Sequence, residues 1–330
     1  MATFETLRLE KGMYSGNFTN TLEKLDPSEN YRDTPLAGMD AFQRQLKRFG
    51  IHVSGSGSDR VEKFFQSSDS AVLFPEYIAR AIKQGMSESD SLSHIVATTT
   101  VVDAPDYRPL TLTIGNGTIE PFPVVNEGAA LPEYLLKNSS SLVTLQKRGR
   151  MFSTSYEALR FHRLDLFTVF LKKMGALIAQ EQFADAVSVL LSGANALPAE
   201  GAEAFSYADL ITLWNALAPH KLSAIVATPA VLTALLGLEQ LQDAAAGLNF
   251  HGSGKLITPL GATLIGSYAA SDDTIIGVDG SGALEMVTAG EVLLDTGKLI
   301  DRQLSQASVS CLAGFSKIYD DSVRVLTLQG

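Results

Sequence analysis

Large apolar residues recur at helical spacing through one long stretch of the chain, from about residue 164 to residue 191. One face of this stretch carries a series of apolar side chains. They are Phe167, Leu171, Met174 and Ile178 and, after a shift in the spacing, Phe183, Val187 and Leu190. Such a repeat predicts an amphipathic helix, which at about 1.5 Å per residue is roughly 40 Å long. Gly193 predicts its end.

Alternation replaces the helical repeat upstream of this helix. Residues 94–102 are rich in β-branched side chains, and residues 111–114 and 142–156 alternate between apolar and polar. Together, residues 94–156 predict a long two-stranded ribbon with a wide loop between its strands. Because a lone ribbon is only marginally stable in water, we expect it to lie on a partner.

The first 38 residues are polar and rich in turn formers, which predicts an extended arm. Asp40 can cap a short helix from Ala41 to Phe49, and a second short helix is predicted from Asp59 to Phe65. Pro75 and Gly85 bracket a third helix. Such an arm can bury its scattered aromatic side chains only against something else, and a neighbouring subunit is the expected surface.

The C-terminal part of the chain combines helices and strands. Residues 206–281 mix short helices with apolar strands such as Thr274–Val278, which predicts a compact α/β unit. Tyr207 and Trp214 fall on one predicted helix and are expected in its core. Residues 283–330 are rich in β-forming side chains.

Composition places the chain among globular proteins of one large or two moderate domains. Of its 330 residues, 45% are apolar and 19% are charged, and the net charge of −10 argues against nucleic-acid binding by the whole surface. The single cysteine, Cys311, excludes an intrachain disulfide and a Cys-rich zinc site. No signal-peptide pattern opens the chain, and charges interrupt its most apolar helix, so we expect a cytoplasmic protein without a membrane span.

Charge is divided unevenly along the sequence. Residues 137–173 contain eight Lys or Arg and two acids, whereas residues 174–285 contain two Lys or Arg and eleven acids. This separation is typical of a chain that pairs with copies of itself. The basic run Lys147, Arg148 and Arg150 is either a solvated face of the ribbon or a contact with an acidic partner surface.

Motifs that would carry catalysis are incomplete. The glycine-rich run at 251–255 lacks the glycine at position 249 and the Ser or Thr at position 256 that a phosphate-binding loop requires. The five histidines are widely scattered, and Cys311 lies in an apolar segment where an inert core thiol is expected. The sequence therefore predicts no catalytic residues, no cofactor and no metal.

Several segments are similar to the major capsid proteins of tailed bacteriophages, the Hong Kong ninety-seven type. They are residues 39–49, 64–78, 276–280, 297–302 and 314–326. The order of parts resembles the same family: arm, short helix, long ribbon, long helix, α/β unit and β-rich return.

This resemblance implies an α+β fold with six consecutive parts. These are an N-arm (1–70), a helix joining the arm to the peripheral domain (71–92), the E-loop ribbon (93–158), the peripheral domain with its long spine helix (159–205), the axial domain (206–281) and the return to the peripheral domain (282–330).

The resemblance also implies a function, in which pentamers and hexamers of the chain form an icosahedral shell around double-stranded DNA. The implied partners are other copies of the chain, packaged DNA, a portal protein and a decoration protein. Because the chain starts directly with a short arm, either a separate scaffolding protein or the removal of an upstream piece is expected, and Met1 favours the scaffolding protein. The shell would be assembled in the host cytoplasm and become part of the virion.

Two groups of site residues follow from these expectations. Contacts between subunits are expected from the basic run Lys147, Arg148 and Arg150 and from the arm anchors Phe42, Phe49, Phe64 and Phe65. A salt-sensitive contact with packaged DNA is expected from Arg160, Arg163, Lys172 and Lys173. Two alternatives stay open: an encapsulin-like compartment built on the same fold, and an α/β enzyme with its site in residues 206–281.

Overall fold

The structure is a computed structural model, which describes residues 4–9, 18–104, 106–113, 124–131, 135–194, 196–242, 257–290 and 292–329. Its chain forms two compact units. Unit 1 consists of Met1–Ser89, Gly149–Ile178 and Val292–Ser310, and unit 2 consists of Asp90–Arg148, Ala179–Glu291 and Cys311–Gly330.

The helices follow one another along the chain as α1 (Phe18–Leu25), α2 (Ala41–Arg48), α3 (Ser68–Ala71), α4 (Leu73–Glu88), α5 (Tyr156–Phe161), α6 (Leu164–Leu191), α7 (Tyr207–Ala216), α8 (Pro229–Leu236) and α9 (Glu239–Gln242). The strands are β1 (Val96–Val101), β2 (Leu110–Thr113), β3 (Leu135–Asn138), β4 (Gln146–Ser155), β5 (Ala196–Pro198), β6 (Ala224–Ala227), β7 (Thr263–Gly266), β8 (Thr274–Val278), β9 (Leu284–Thr288), β10 (Leu293–Leu299), β11 (Leu304–Lys317) and β12 (Val323–Thr327).

Unit 1 is built around the crossing of α4 with the first half of α6. Glycines bring the two backbones together: a Cβ on Gly85 would lie 2.0 Å from the carbonyl oxygen of Lys172, and one on Gly175 would lie 2.0 Å from that of Ile82. The core of the unit includes Phe64 and Leu171. Side chains larger than glycine would force the helices apart.

Within the arm, α1 and α2 are joined by a buried ion pair. Arg44 of α2 and Asp26, which follows α1, are both almost completely buried, with the Arg44 Nε 2.9 Å from a carboxylate oxygen of Asp26. The hydroxyl of Tyr31 donates to the same carboxylate at 2.6 Å. Breaking such a pair would leave one charge buried alone, so these contacts hold α1 and α2 together.

Unit 2 contains a sheet with the strand order β5-β12-β8-β6-β7. Helices α7 and α8 contribute Leu213 and Leu232 to the core on one face of the sheet. The second half of α6 contributes Phe183 and Val187 to the core on the other face. At Gly277 of β8 a Cβ would lie 2.9 Å from Leu213, so the glycine makes room for α7. The sheet is therefore covered on both faces, which explains why its central strands β6 and β8 are entirely buried.

The ribbon also belongs to unit 2, where β2 pairs with β3 in antiparallel register from Leu110↔Asn138 to Thr113↔Leu135. At its base, Thr100 and Tyr107 donate hydrogen bonds to the carboxylate of Glu285 at 2.5 and 2.6 Å. The hydrogen bond to Glu285 raises the pKa of the Tyr107 hydroxyl.

Sequence patterns located the main elements, with differences in α4 and in the ribbon. Pro75 and Gly85 were expected to bracket a helix, but α4 begins at Leu73 and continues through Gly85 to Glu88. The predicted helix at 164–191 and the predicted strand at 274–278 coincide with α6 and β8. The ribbon is shorter than predicted, because β1 pairs in parallel with β9 and β4 pairs with β11. Alternation identifies a strand but not its partner, so these two strands were assigned to the ribbon instead of to sheets.

Candidate functional site

In the basic run on β4, Arg148 contacts acidic residues of its own chain, whereas Lys147 and Arg150 are exposed. The guanidinium of Arg148 lies 3.0 Å from a carboxylate oxygen of Asp185 and 3.1 Å from one of Glu181, both on α6 and both in unit 2. The hydrogen bond with Asp185 raises the pKa of Arg148 above its ordinary value. The acidic surface that Arg148 meets is therefore on its own chain.

Lys147 and Arg150, the other members of the basic run, are exposed. Neither forms an ion pair within the described part of the chain. Any contact of this run with a neighbouring subunit consequently falls to Lys147 and Arg150. The sequence could not separate these three residues, because Arg148 and Asp185 are 37 positions apart.

The four predicted arm anchors differ widely in burial. Phe42 and Phe64 are buried in the core of unit 1, and Phe49 is partly buried beside it. The guanidinium of Arg80 lies 4.4 Å from the centre of the Phe42 ring, and Phe64 packs against Tyr77. A neighbouring subunit was the expected surface for the arm's aromatics, but Phe42 and Phe64 are buried in a core that α4 of the same chain helps to form.

Phe65 is the arm phenylalanine with a large exposed fraction, 42%. Its ring meets that of Phe74 edge to face, with centroids 5.0 Å apart. Both rings border a cavity of about 430 Å³ in unit 1, which Phe152, Phe167 and the β10–β11 hairpin also line. Of the four anchors, Phe65 has the most surface to offer another chain.

Three of the four cations expected to face DNA are paired within unit 1. Arg160 lies 3.2 Å from Glu62, Arg163 lies 3.1 Å from Asp165, and Lys172 lies 2.8 Å from Glu88. The hydrogen bond from Lys172 lowers the pKa of the Glu88 carboxyl. These acids offset much of the positive charge that a phosphate backbone would meet.

Lys173, the fourth cation, is exposed and has large apolar neighbours on its face of α6. Leu166, Val169, Phe170 and Leu177 are exposed by 47, 61, 61 and 42%, and together with Lys173 they define the open face of α6. Their spacing of three or four residues puts them on one side of the helix. The sequence analysis recognised one apolar face of this helix, the face of Phe167 and Leu171, and missed the open face. The residues of the open face are also three or four positions apart, so the sequence contained the signal.

Two further expectations concern the α/β part of the chain. Trp214 was expected in the core, but half of its side chain is exposed on α7 beside the exposed Ile211. Cys311 is buried as expected, and burial raises the pKa of its thiol above the ordinary value. The sequence alone did not decide whether Trp214 lies on the buried or the exposed side of the ten-residue helix α7.

Metal and membrane sites were also considered. In the described ranges, no group of three or more His, Cys, Asp or Glu side chains is placed to hold a metal ion. None of the described helices combines the length and the apolar content needed to cross a lipid bilayer.

Comparison with known families gives one match. A family model described as "Phage capsid protein" matches residues 138–308, just over half of the chain. A comparison with curated proteins gives no significant match. The matched range includes β4, α6 and most of the sheet of unit 2.

Solved structures with a similar fold include a particle capsid, a virus-like particle and a phage protein. The capsid of the native GTA particle gives a TM-score of 0.54 at 14% identity, over 73% of this chain and 91% of that one. A virus-like particle from Pyrococcus furiosus gives 0.50 at 13%, over 76% and 98%. Gordonia phage Cozz gives 0.50 at 17%, over 73% and 87%. At these identities the likeness concerns the fold alone.

Proposed function

Because the chain belongs to the phage capsid protein family, and is therefore a structural shell protein, we propose that it is the major capsid protein of a tailed phage. In this role pentamers and hexamers of the chain would tile an icosahedral shell that encloses double-stranded DNA. The family match over residues 138–308 is the observation that carries this proposal. Capsid proteins are structural, so the alternative of an α/β enzyme in residues 206–281 is set aside.

The proposal assigns a task to each part of the chain. Residues 1–70 would act as the arm and residues 93–158 as the E-loop, whose β2–β3 ribbon reaches a neighbour. Residues 159–205 and 282–330 would form the peripheral domain, and residues 206–281 the axial domain around the symmetry axes. The exposed apolar side chains of α6 and α7 support this assignment, because a shell subunit must keep such surface for its neighbours.

The proposed partners beyond other copies of the chain are a separate scaffolding protein, a portal protein, a decoration protein and packaged DNA. Assembly would take place in the host cytoplasm, and the product would be the virion. That Arg160, Arg163, Lys172 and Lys173 face DNA stays a prediction, which the ion pairs of the first three with their own chain do not favour.

The same proposal leaves Lys147, Arg150, Phe49 and Phe65 as contacts between subunits. Each has surface that its own chain does not cover completely. Charge reversal at Lys147 and Arg150 should reduce assembly in a salt-dependent way, because exposed ion pairs weaken as salt screens them.

Electron microscopy of particles formed by the purified chain, with and without a co-expressed scaffolding protein, tests the proposal. Closed shells with five-fold vertices are expected. A chain that stays monomeric or dimeric by light scattering under all these conditions would contradict the proposal. Shells from infected cells that contain protein cargo and lack both DNA and a portal vertex would instead identify an encapsulin-like compartment.

A further inference from the structure

One histidine of unit 2 lies between two carboxylates. His220 follows α7, Asp279 directly follows β8, and Asp321 lies in the turn between β11 and β12. The Nδ1 atom of His220 is 3.2 Å from a carboxylate oxygen of Asp279, and its Nε2 atom is 3.1 Å from one of Asp321. The side chains of His220 and Asp279 are only 10% and 9% exposed. The imidazole ring and the two acids therefore share a nearly closed site.

Asp279 determines which ring nitrogen of His220 carries the hydrogen. Its carboxylate accepts hydrogen bonds from the backbone N–H and the hydroxyl of Ser281, at 3.0 and 2.7 Å, and from the backbone N–H of Lys221 at 3.3 Å. Because an ionised carboxylate can only accept, Nδ1 of His220 donates the fourth hydrogen bond. In the neutral ring the lone pair then lies on Nε2, which faces Asp321.

The Nε2 atom of His220 is poorly matched to a hydrogen bond with Asp321. It is buried and has no hydrogen-bond partner within the described part of the chain, although the carboxylate oxygen is 3.1 Å away. The distance would suit a hydrogen bond, whereas the orientation of the two groups does not. A nitrogen lone pair beside a carboxylate oxygen is unfavourable in a buried site unless positive charge lies between them.

The same geometry suits two ligands of one metal ion. Ligands about 2.0–2.1 Å from a tetrahedral Zn²⁺ are about 3.3 Å apart. The separation of 3.1 Å between His220 Nε2 and the Asp321 oxygen is close to this value. In addition, a metal-bound histidine almost always donates its other ring N–H to a carboxylate, which fixes the orientation of the ring. Asp279 already accepts that hydrogen bond.

We propose that Nε2 of His220 and the carboxylate of Asp321 bind a divalent transition-metal ion, with Asp279 as the positioning residue. An imidazole nitrogen favours an ion such as Zn²⁺ over Mg²⁺ and Ca²⁺, which prefer oxygen ligands alone. Two protein ligands leave the other coordination positions to water. The sequence predicted no metal, because His220 and Asp279 are 59 positions apart and no local motif joins them.

An ion at this position would join three connections of one sheet. His220 precedes β6, Asp279 follows β8 and Asp321 precedes β12, and these strands are neighbours in the order β12-β8-β6. A ligand that binds the folded chain and not the unfolded one raises the unfolding temperature. The ion would therefore stabilise the α/β part of each subunit. This role does not require assembly, so its test is independent of the proposed shell function.

Calorimetric titration of the metal-free, full-length chain with Zn²⁺ tests the site. We expect one Zn²⁺ per chain and a higher unfolding temperature in its presence. Asp321→Asn and His220→Asn should each weaken binding at least tenfold and abolish the temperature shift, because each removes a ligand. Asp320→Asn, at the exposed neighbouring acid, is the matched control and should bind Zn²⁺ as the wild type does.

Asp279→Asn tests the positioning role, because Asp279 does not touch the ion. This variant should weaken Zn²⁺ binding about 10–100-fold, the usual cost of losing the carboxylate behind a metal-bound histidine. Mg²⁺ titrated in place of Zn²⁺ should give neither binding heat nor a temperature shift. Circular dichroism verifies that each variant is folded.

Two results would overturn the proposal. Equal Zn²⁺ affinity in the wild type, His220→Asn and Asp321→Asn would assign the ion to another part of the chain. A wild-type chain that binds no Zn²⁺ would show that a proton alone bridges His220 and Asp321.

Discussion

The two halves of α6 have similar compositions and opposite surroundings. In unit 2, residues 179–191 bury Phe183, Ala186, Val187 and Leu190, each at most 5% exposed. In unit 1, residues 164–178 bury one side and leave Leu166, Val169, Phe170 and Leu177 exposed. A single helix is thus a core element in its second half and has an exposed apolar face in its first half.

Charged residues show the same difference between the halves. In the second half, Glu181 and Asp185 are already paired with Arg148 of the same unit. In the first half, Lys173 is exposed, and no described residue forms an ion pair with it. The second half of the helix is thus packed and paired within the subunit, while the first half has both exposed apolar surface and an exposed charge.

Phe183→Ala should have the largest effect on the isolated subunit. Its side chain is 5% exposed in the core of unit 2, and truncation of a buried phenylalanine typically costs about 3–5 kcal/mol. Urea unfolding of the unassembled subunit measures this loss. A cost below about 1 kcal/mol would show that the second half of α6 is not a packed core element.

Gly175→Ala should have the next largest effect and concerns the buried side of the first half. The added methyl would lie 2.0 Å from the carbonyl oxygen of Ile82, so α4 and α6 must separate. Overpacking of this kind costs about 1–3 kcal/mol, from which the better helix propensity of alanine subtracts up to about 1 kcal/mol. The same urea titration measures it. Gly297→Ala, where no atom lies within 4 Å of the added Cβ, is the control.

Arg148→Ala should have a smaller effect, because its ion pairs with Glu181 and Asp185 are partly exposed. We expect a loss of about 1 kcal/mol that shrinks at high salt. Comparing Arg148→Ala, Asp185→Ala and the double variant isolates the coupling between the two residues. Strict additivity of the two single effects would mean that the pair contributes nothing to the subunit.

Phe170→Ala should have the smallest effect on the isolated subunit and a large one on assembly. It is the same substitution as Phe183→Ala in the same helix, but the side chain is 61% exposed, so the stability should change by no more than about 0.5 kcal/mol. Shell formation, measured by light scattering, should fall severalfold. Normal assembly of this variant would show that the open face is only a tolerated apolar surface.

Local sequence patterns were sufficient for the position of the elements. The bounds of α6 and β8 follow from apolar spacing and a flanking glycine, because both signals lie within the segment itself. The α+β architecture was implied by the resemblance of several segments, and of the order of parts, to the capsid proteins of tailed phages.

Exposure and pairing were harder to predict, because they depend on residues far apart in the chain. Phe42 and Phe65 are alike in the sequence, yet one is covered by the chain's own helices and the other is 42% exposed. Arg148 and Arg150 are two positions apart, and only Arg148 meets the acids of α6. Trp214 was assigned to the core because its helix is apolar, and the sheet beneath α7 turned out to bury Leu213 instead.

The central claim is that the open face of α6 is an interface that another subunit completes. Electron cryo-microscopy of assembled wild-type shells, at a resolution that shows side chains, tests it most directly. We predict that a neighbouring subunit covers Leu166, Val169, Phe170 and Leu177. An open face in contact with solvent or with packaged DNA would contradict the claim.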